Sequence, residues 1–168
     1  MTGTVSDILN GLVEKLKVKF AADILNAEQM FDFPVITIKK EKVLEIVKDL
    51  QKEGYNFLTD LTGTHYPGNS GNELGIIYHF HDMPNNRRLR LKAFTSINDP
   101  AIDSLTSIYP GANWMERETY DFYGIIFKGH PNLKRILNMD EMNYFPMRKE
   151  YPMEDAKRDD KDNAMFGR

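Results

Sequence analysis

Tyr78-His79-Phe80-His81 places two imidazoles two residues apart, so in a strand both project from one face and could form half of a metal site. No third ligand lies nearby in the sequence; His65, His130 or one of the 25 acids would have to complete the site through folding. An exposed strand face with alternating polar residues explains the same pattern. The next segment offers different chemistry. Arg87, Arg88, Arg90 and Lys92, with Phe94 and Tyr78 available for stacking, could make a basic sheet surface for single-stranded nucleic acid. Against that stands the net charge of -3, from 22 Lys plus Arg and 25 Asp plus Glu, which favours an ordinary solvated face. There is no G-x-G-x-x-G or G-x-x-x-x-G-K-[ST] phosphate cradle and no G-x-S-x-G nucleophile elbow. The absence of cysteine excludes thiolate zinc sites, cysteine-ligated iron-sulfur clusters and cysteine nucleophiles. An independent enzyme is not expected.

The densest run of potentially functional side chains is Trp114 to Gly124, continued by Ile125 to Leu137. On a helix, Arg117 lies beside Asp121, Trp114 beside Glu118 and Glu118 beside Phe122, so charge and aromatic surface are interleaved. A solvent-facing helix has no need of those aromatics. A core-facing one would bury Glu116, Arg117, Glu118 and Asp121 at several kcal/mol per unpaired charge, so internal pairing or a partner is required.

The elements that position these residues follow from hydrophobic period and breakers. Val5, Ile8, Leu9, Leu12, Val13 and Leu16 mark one helical face, with Ser6 or Asp7 suited to cap it. Asp23–Met30 and Pro34–Lys40 read as strands. A second helix runs from Glu41 through Val43, Leu44, Val47 and Leu50 to a stop at Gly54. Tyr55–Leu61 is a strand, Thr62–Asn72 a loop, and Leu74–His81 with Arg87–Phe94 an antiparallel hairpin. Asp99-Pro100 introduces a helix through Ile102, Leu105 and Ile108, and another runs from Asn113 to Gly124. The order αββαβββαα, without strict alternation, predicts an α+β fold: a two-layer mixed or antiparallel sheet covered by helices.

Composition divides the chain. All 33 Ile, Leu and Val residues fall at or before Leu137, while the last 31 residues contain none but hold five of the nine Met and 14 charged residues. The expectation is a compact body over 1–137 and an extended, partner-docking tail over 138–168. In that tail Met139, Met142, Tyr144, Phe145, Met147, Tyr151 and Met153 are the side chains expected to dock. No apolar run approaches a membrane span, and the N-terminal residues resemble neither a secretory signal nor a transit peptide, so a cytoplasmic location in a bacterial-type cell is expected.

One resemblance adds to this reading. Pro110, Gly111, Ala112, Asn113, Trp114, then Glu116, Arg117, Glu118, then Asp121, Phe122, Tyr123, Gly124, then Gly129, His130, Pro131, Leu133, Lys134, Arg135, Ile136 and Leu137 closely resemble the signature of the C-subunit family of proton-pumping NADH-quinone oxidoreductase, respiratory complex I. Asp60-Leu61-Thr62 upstream, and Pro146, Arg148, Lys149, Tyr151 and Pro152 downstream, extend the likeness. The sequence departs from the family's usual pattern at His65, Phe145, Met147 and Glu150. The resemblance implies a cofactor-free, non-catalytic scaffold of the hydrophilic arm, packed against the quinone-site D-subunit and neighbouring iron-sulfur subunits, with FMN and the clusters held by partners. It implies a peripheral position on the cytoplasmic side of the cell inner membrane. The expected polar contacts fall to Arg117, Asp121, Arg135, Arg148 and Lys149, the apolar ones to Trp114, Phe122 and Tyr151, and backbone geometry to Gly124 and Gly129.

Overall fold

The computed structural model describes residues 5–30 and 33–151, with side chains from residue 11 onward. Helix α1 (Val5–Phe20) is followed by strands β1 (Ile24–Met30) and β2 (Phe33–Ile38), one 3-10 turn (Lys40–Lys42) and α2 (Val43–Lys52). Then come β3 (Phe57–His65), β4 (Leu74–Asp82), β5 (Arg87–Thr95), β6 (Ala101–Asp103), α3 (Ala112–Tyr123) and β7 (Ile126–Lys128). Five strands form one sheet in the order β1-β2-β5-β4-β3. Only β2 and β5 run parallel in it, which makes the sheet mixed, as the order of elements predicts. The separate parallel pair β6-β7 leads into and out of α3.

The core is built by period. Leu12, Val13, Leu16 and Phe20 of α1, and Val43, Ile46, Val47 and Leu50 of α2, belong to one buried cluster with alternate residues of the strands: Ile36 and Ile38, Ile76, Tyr78 and Phe80, Leu89 and Leu91. Each such side chain removed from water contributes about 1.5–3 kcal/mol of gross stabilisation. The intervening strand residues, among them His79, His81, Arg90 and Lys92, share the opposite, part-exposed face.

Three expectations are corrected. The helix predicted across Ile102, Leu105 and Ile108 is instead strand β6 followed by a single turn, in which the Ile108 and Tyr109 amides donate to the Leu105 carbonyl. Its apolar residues recur at intervals of three alone, too short a stretch to offset helix nucleation against parallel pairing with β7. The loop predicted from Thr62 starts only after His65, because β3 continues to pair with β4 and turns Leu61, Gly63 and His65 inward. Ser6 and Asp7 fall inside α1 rather than before it.

Helix α3 lies along β3, and Gly63 sets their separation. A Cβ there would come within 2.6 Å of the Tyr123 ring and 3.1 Å of the Thr119 methyl. Gly63→Ala is therefore expected to destabilise the chain by about 1–3 kcal/mol in urea unfolding. Gly68→Ala, where nothing stands within 4 Å, is expected to stay within about 0.5 kcal/mol of the parent.

Candidate functional site

Helix α3 carries six of the sixteen predicted site residues, and its inward face is polar. Glu116 is completely buried. One carboxylate oxygen accepts from the Ser104 hydroxyl at 2.6 Å and the other from the Leu105 amide at 2.7 Å, tying the helix to the turn after β6. Burial pushes this carboxyl up to about 7, despite the two bonds that favour its charge.

One turn and a half further on, Asp121 is equally buried and electrostatically opposite. One of its oxygens accepts from the amides of Ile136 (3.1 Å), Leu137 (2.8 Å) and Asn138 (2.9 Å). The other accepts from Arg135 Nη1 at 2.7 Å and Asn138 Nδ2 at 3.1 Å. Burial alone would raise this carboxyl, but the Asn138 and Leu137 amides, Arg135 and the Asn138 side chain outweigh it and hold it far below the usual carboxylate range. Arg135 directs its remaining donors to the Asp121 carbonyl (2.9 Å) and, through Nη2, to the carbonyls of Met142 (2.6 Å) and Tyr144 (3.0 Å). Arg117 and Asp121, neighbours at i,i+4, do not pair with each other. Asp121 is already saturated by the returning chain, and Arg117 donates to the carbonyls of Lys134 and Arg135.

The helix ends at Gly124 in the left-handed conformation, φ +75°. Glycine is required there a second time, since a Cβ would meet the Phe145 ring at 2.5 Å and Arg148 at 2.7 Å. Phe145 stands edge-on to Tyr120 and between two guanidiniums, 5.1 Å from Arg135 and 4.7 Å from Arg148. Arg148 Nε donates to the Tyr123 carbonyl and the Met147 amide to the Phe122 carbonyl. The Lys149 amide donates to His65 Nδ1 at 2.9 Å. Residues 130–151 thus form a strap laid back over the end of α3, and the compositional break at Leu137 falls inside this polar cluster.

The strap gathers Asp121, Phe122, Gly124, Arg135, Arg148 and Lys149, with Arg117 and Pro146 at its margin. Gly129 is also left-handed (φ +83°), and His130 Nε2 bonds the Asn113 carbonyl at 3.0 Å, with Pro131 exposed beside it. Trp114 and Glu118 point outward, the tryptophan 60% exposed and the glutamate without a polar partner among the described residues. Tyr151 is exposed and touches Tyr144, ring centroids 5.0 Å apart. Pro152, Met153 and the charged run from Lys157 lie outside the described residues. Ser104, His65 and Asn138 were not foreseen as anchors, since nothing in their local spacing links them to α3 or the strap.

The two chemical alternatives find no support. His79 Nε2 accepts from Arg90 Nε at 2.8 Å, His81 bonds Asn86, and among the described residues no group of three His, Cys, Asp or Glu could hold a metal ion. The stacking surface is also lacking: Tyr78 is fully buried, Phe94 packs on Tyr66, Arg90 lies over Phe33 and Arg87 is paired with Asp82.

The fold and the strap define a mixed-sheet α+β body with a segment laid back over its last helix. A comparable fold occurs in a solved structure titled as the membrane-bound sulfane sulfur reductase, an archaeal respiratory membrane complex (TM-score 0.71, 19% identity, 88% of this chain and 85% of that one). A trypsin-resistant fragment (1-134) of Nqo5 matches with a TM-score of 0.65 and 25% identity, over 74% of this chain and 98% of the fragment. Residues 36–157 match the family described as respiratory-chain NADH dehydrogenase, 30 Kd subunit, and the chain belongs to that family. The NADH-quinone oxidoreductase C-subunit of Citrifermentans bemidjiense is 42% identical over 89% of this chain and 93% of its own length; that of Geobacter sulfurreducens is 39% identical over the same shares. The resemblance read from the sequence is borne out.

Asp121→Asn would leave the Arg135 guanidinium buried without its counter-charge, and a loss of about 3–5 kcal/mol at neutral pH is expected in urea unfolding. Because the Asp121 carboxyl is depressed in the folded state, its contribution is complete above an ordinary aspartate pKa of about 4 and is lost progressively as pH falls from there towards the folded-state value. The difference between parent and variant should therefore be flat from neutrality down to mild acid and shrink progressively below it.

Proposed function

We propose that the chain is a non-catalytic scaffold subunit of the hydrophilic arm of an NADH-quinone oxidoreductase, the complex that passes electrons from NADH to quinone while translocating protons. It sits peripherally on the cytoplasmic side of the inner membrane, against the quinone-site D-subunit and neighbouring iron-sulfur subunits. FMN and the iron-sulfur clusters belong to those partners. The work of this chain is mechanical: electron transfer depends on fixed distances, and a rigid body bonded to several subunits restricts them.

The observation that carries this reading is the strap. Several of its backbone groups and the guanidiniums of Arg135 and Arg148 are engaged inward, while Leu137, Met139, Tyr144, Met147 and Tyr151 face solvent. Large apolar side chains held outward on a rigid frame are the composition of an interface core, and Met and Tyr are among the residues enriched there. Trp114 and Glu118, one helical turn apart, continue that surface chemistry on α3. Among the described residues no helix is long and apolar enough to cross a membrane, in keeping with a peripheral position.

The test is capture of the quinone-site partner by tagged full-length chain. Met139→Ser with Met147→Ser, and Trp114→Ala separately, are expected to weaken capture by at least about tenfold while leaving urea unfolding unchanged. Undiminished capture by all of these variants would refute the docking surface.

A further inference from the structure

The scaffold reading gives Glu116 no task beyond packing, yet its surroundings are those of a site. The carboxyl is completely buried and bonded to one hydroxyl and one amide, with no hydrogen bond or ion pair to Lys, Arg or His among the described residues. On its own helix, Arg117 is committed to the Lys134 and Arg135 carbonyls and Glu118 is exposed. From β4 comes the Tyr78 phenol, fully buried and without a hydrogen-bond partner among the described residues, and from β6 the Asp103 carboxylate; burial first, and then the charges of Glu116 and Asp103, oppose ionisation of that phenol. Among the described residues no cation offsets a charge on Glu116.

The hydroxyls beside it form a two-way switch. Ser104 Oγ lies 2.6 Å from Glu116 Oε2 and 2.8 Å from Thr106 Oγ1, and it accepts the Thr106 amide at 3.1 Å. A hydroxyl oxygen has two acceptor positions and one proton. With Glu116 ionised, Ser104 donates to the carboxylate and accepts from the Thr106 amide and hydroxyl. With Glu116 protonated, the carboxyl donates to Ser104, which still accepts the amide and now donates to Thr106. Both states satisfy every group in the same heavy-atom positions, and Thr106 is part-exposed.

We propose that Glu116, Ser104 and Thr106 constitute an internal proton-binding site, loaded from solvent along the two hydroxyls. Loading is balanced: a hydronium ion in solvent gives its proton to Thr106 Oγ1 and becomes water, the proton of Thr106 passes to Ser104 Oγ, and the proton of Ser104 forms the O–H bond on Glu116 Oε2. The net change is one proton taken up at Glu116, with each hydroxyl reoriented and otherwise restored. The raised affinity of the buried carboxyl places this uptake near neutrality. Since Glu116 Oε1 accepts the Leu105 amide, occupancy is registered in the turn joining β6 to α3.

The experiment follows the Leu105 amide resonance of the isotopically labelled full chain by NMR across about pH 5 to about pH 9, a range that spans the transition of a raised carboxyl. A single transition with a midpoint at about 7 is expected, absent in Glu116→Gln, whose amide can bond Leu105 and Ser104 in place of the protonated acid. Ser104→Ala removes a bond that favours the ionised form, so its midpoint should rise. A flat Leu105 resonance in the parent, a transition surviving in Glu116→Gln, or a midpoint that fails to rise in Ser104→Ala would each overturn the proposal. The Ser104→Ala arm decides alone if Glu116→Gln does not fold.

Discussion

The buried pair of Asp121 and Arg135 is the interaction on which the rest of the site depends. A carboxylate removed from water is costly unless its lone pairs are filled, and Asp121 receives three consecutive backbone amides, an amide side chain and a guanidinium. All of those donors come from residues 135–138, so the buried charge dictates where the chain goes after β7. Arg135 then passes the constraint onward, its second nitrogen holding the carbonyls of Met142 and Tyr144. Residues 138–151, which hold no Ile, Leu or Val, are thus fastened by polar bonds where a hydrophobic core would ordinarily do it.

That polar clamp works only because α3 is held at fixed distance and depth. Gly63 lets the helix approach β3, Glu116 anchors its first half to the turn after β6, and Gly124 ends it in time for Phe145 and Arg148 to close over the terminus. The two acids on one helix illustrate opposite solutions to burial. Asp121 keeps its charge by collecting donors, whereas Glu116, with two donors and no cation among the described residues, is pushed towards neutrality.

Much of this architecture was legible in the sequence. The β4-β5 hairpin, α2 and the glycine-terminated α3 were visible because apolar period and turn residues agreed locally. The predicted helix across Ile102, Leu105 and Ile108 failed because its three apolar residues suit either structure until the partner strand β7 is known. The site was legible as composition rather than geometry. Interleaved charge and aromatics on α3 demanded internal pairing or a partner, but local spacing showed only that Arg117 is Asp121's neighbour on the helix. The true partners lie in 135–138, and Ser104 and His65 enter from elements with no local link to the helix. The family resemblance supplied the residues that matter without saying which of them touch.

The central claim, that the Asp121 and Arg135 pair fastens the strap to the body in the free protein, is tested most directly by amide hydrogen exchange in the full chain. Leu137, Asn138 and Met147, whose amides donate to Asp121 and to the Phe122 carbonyl, should exchange as slowly as the interior amides of α3 and be released together with them. Exchange of these three at the rate of unstructured peptide, while α3 remains protected, would contradict the account.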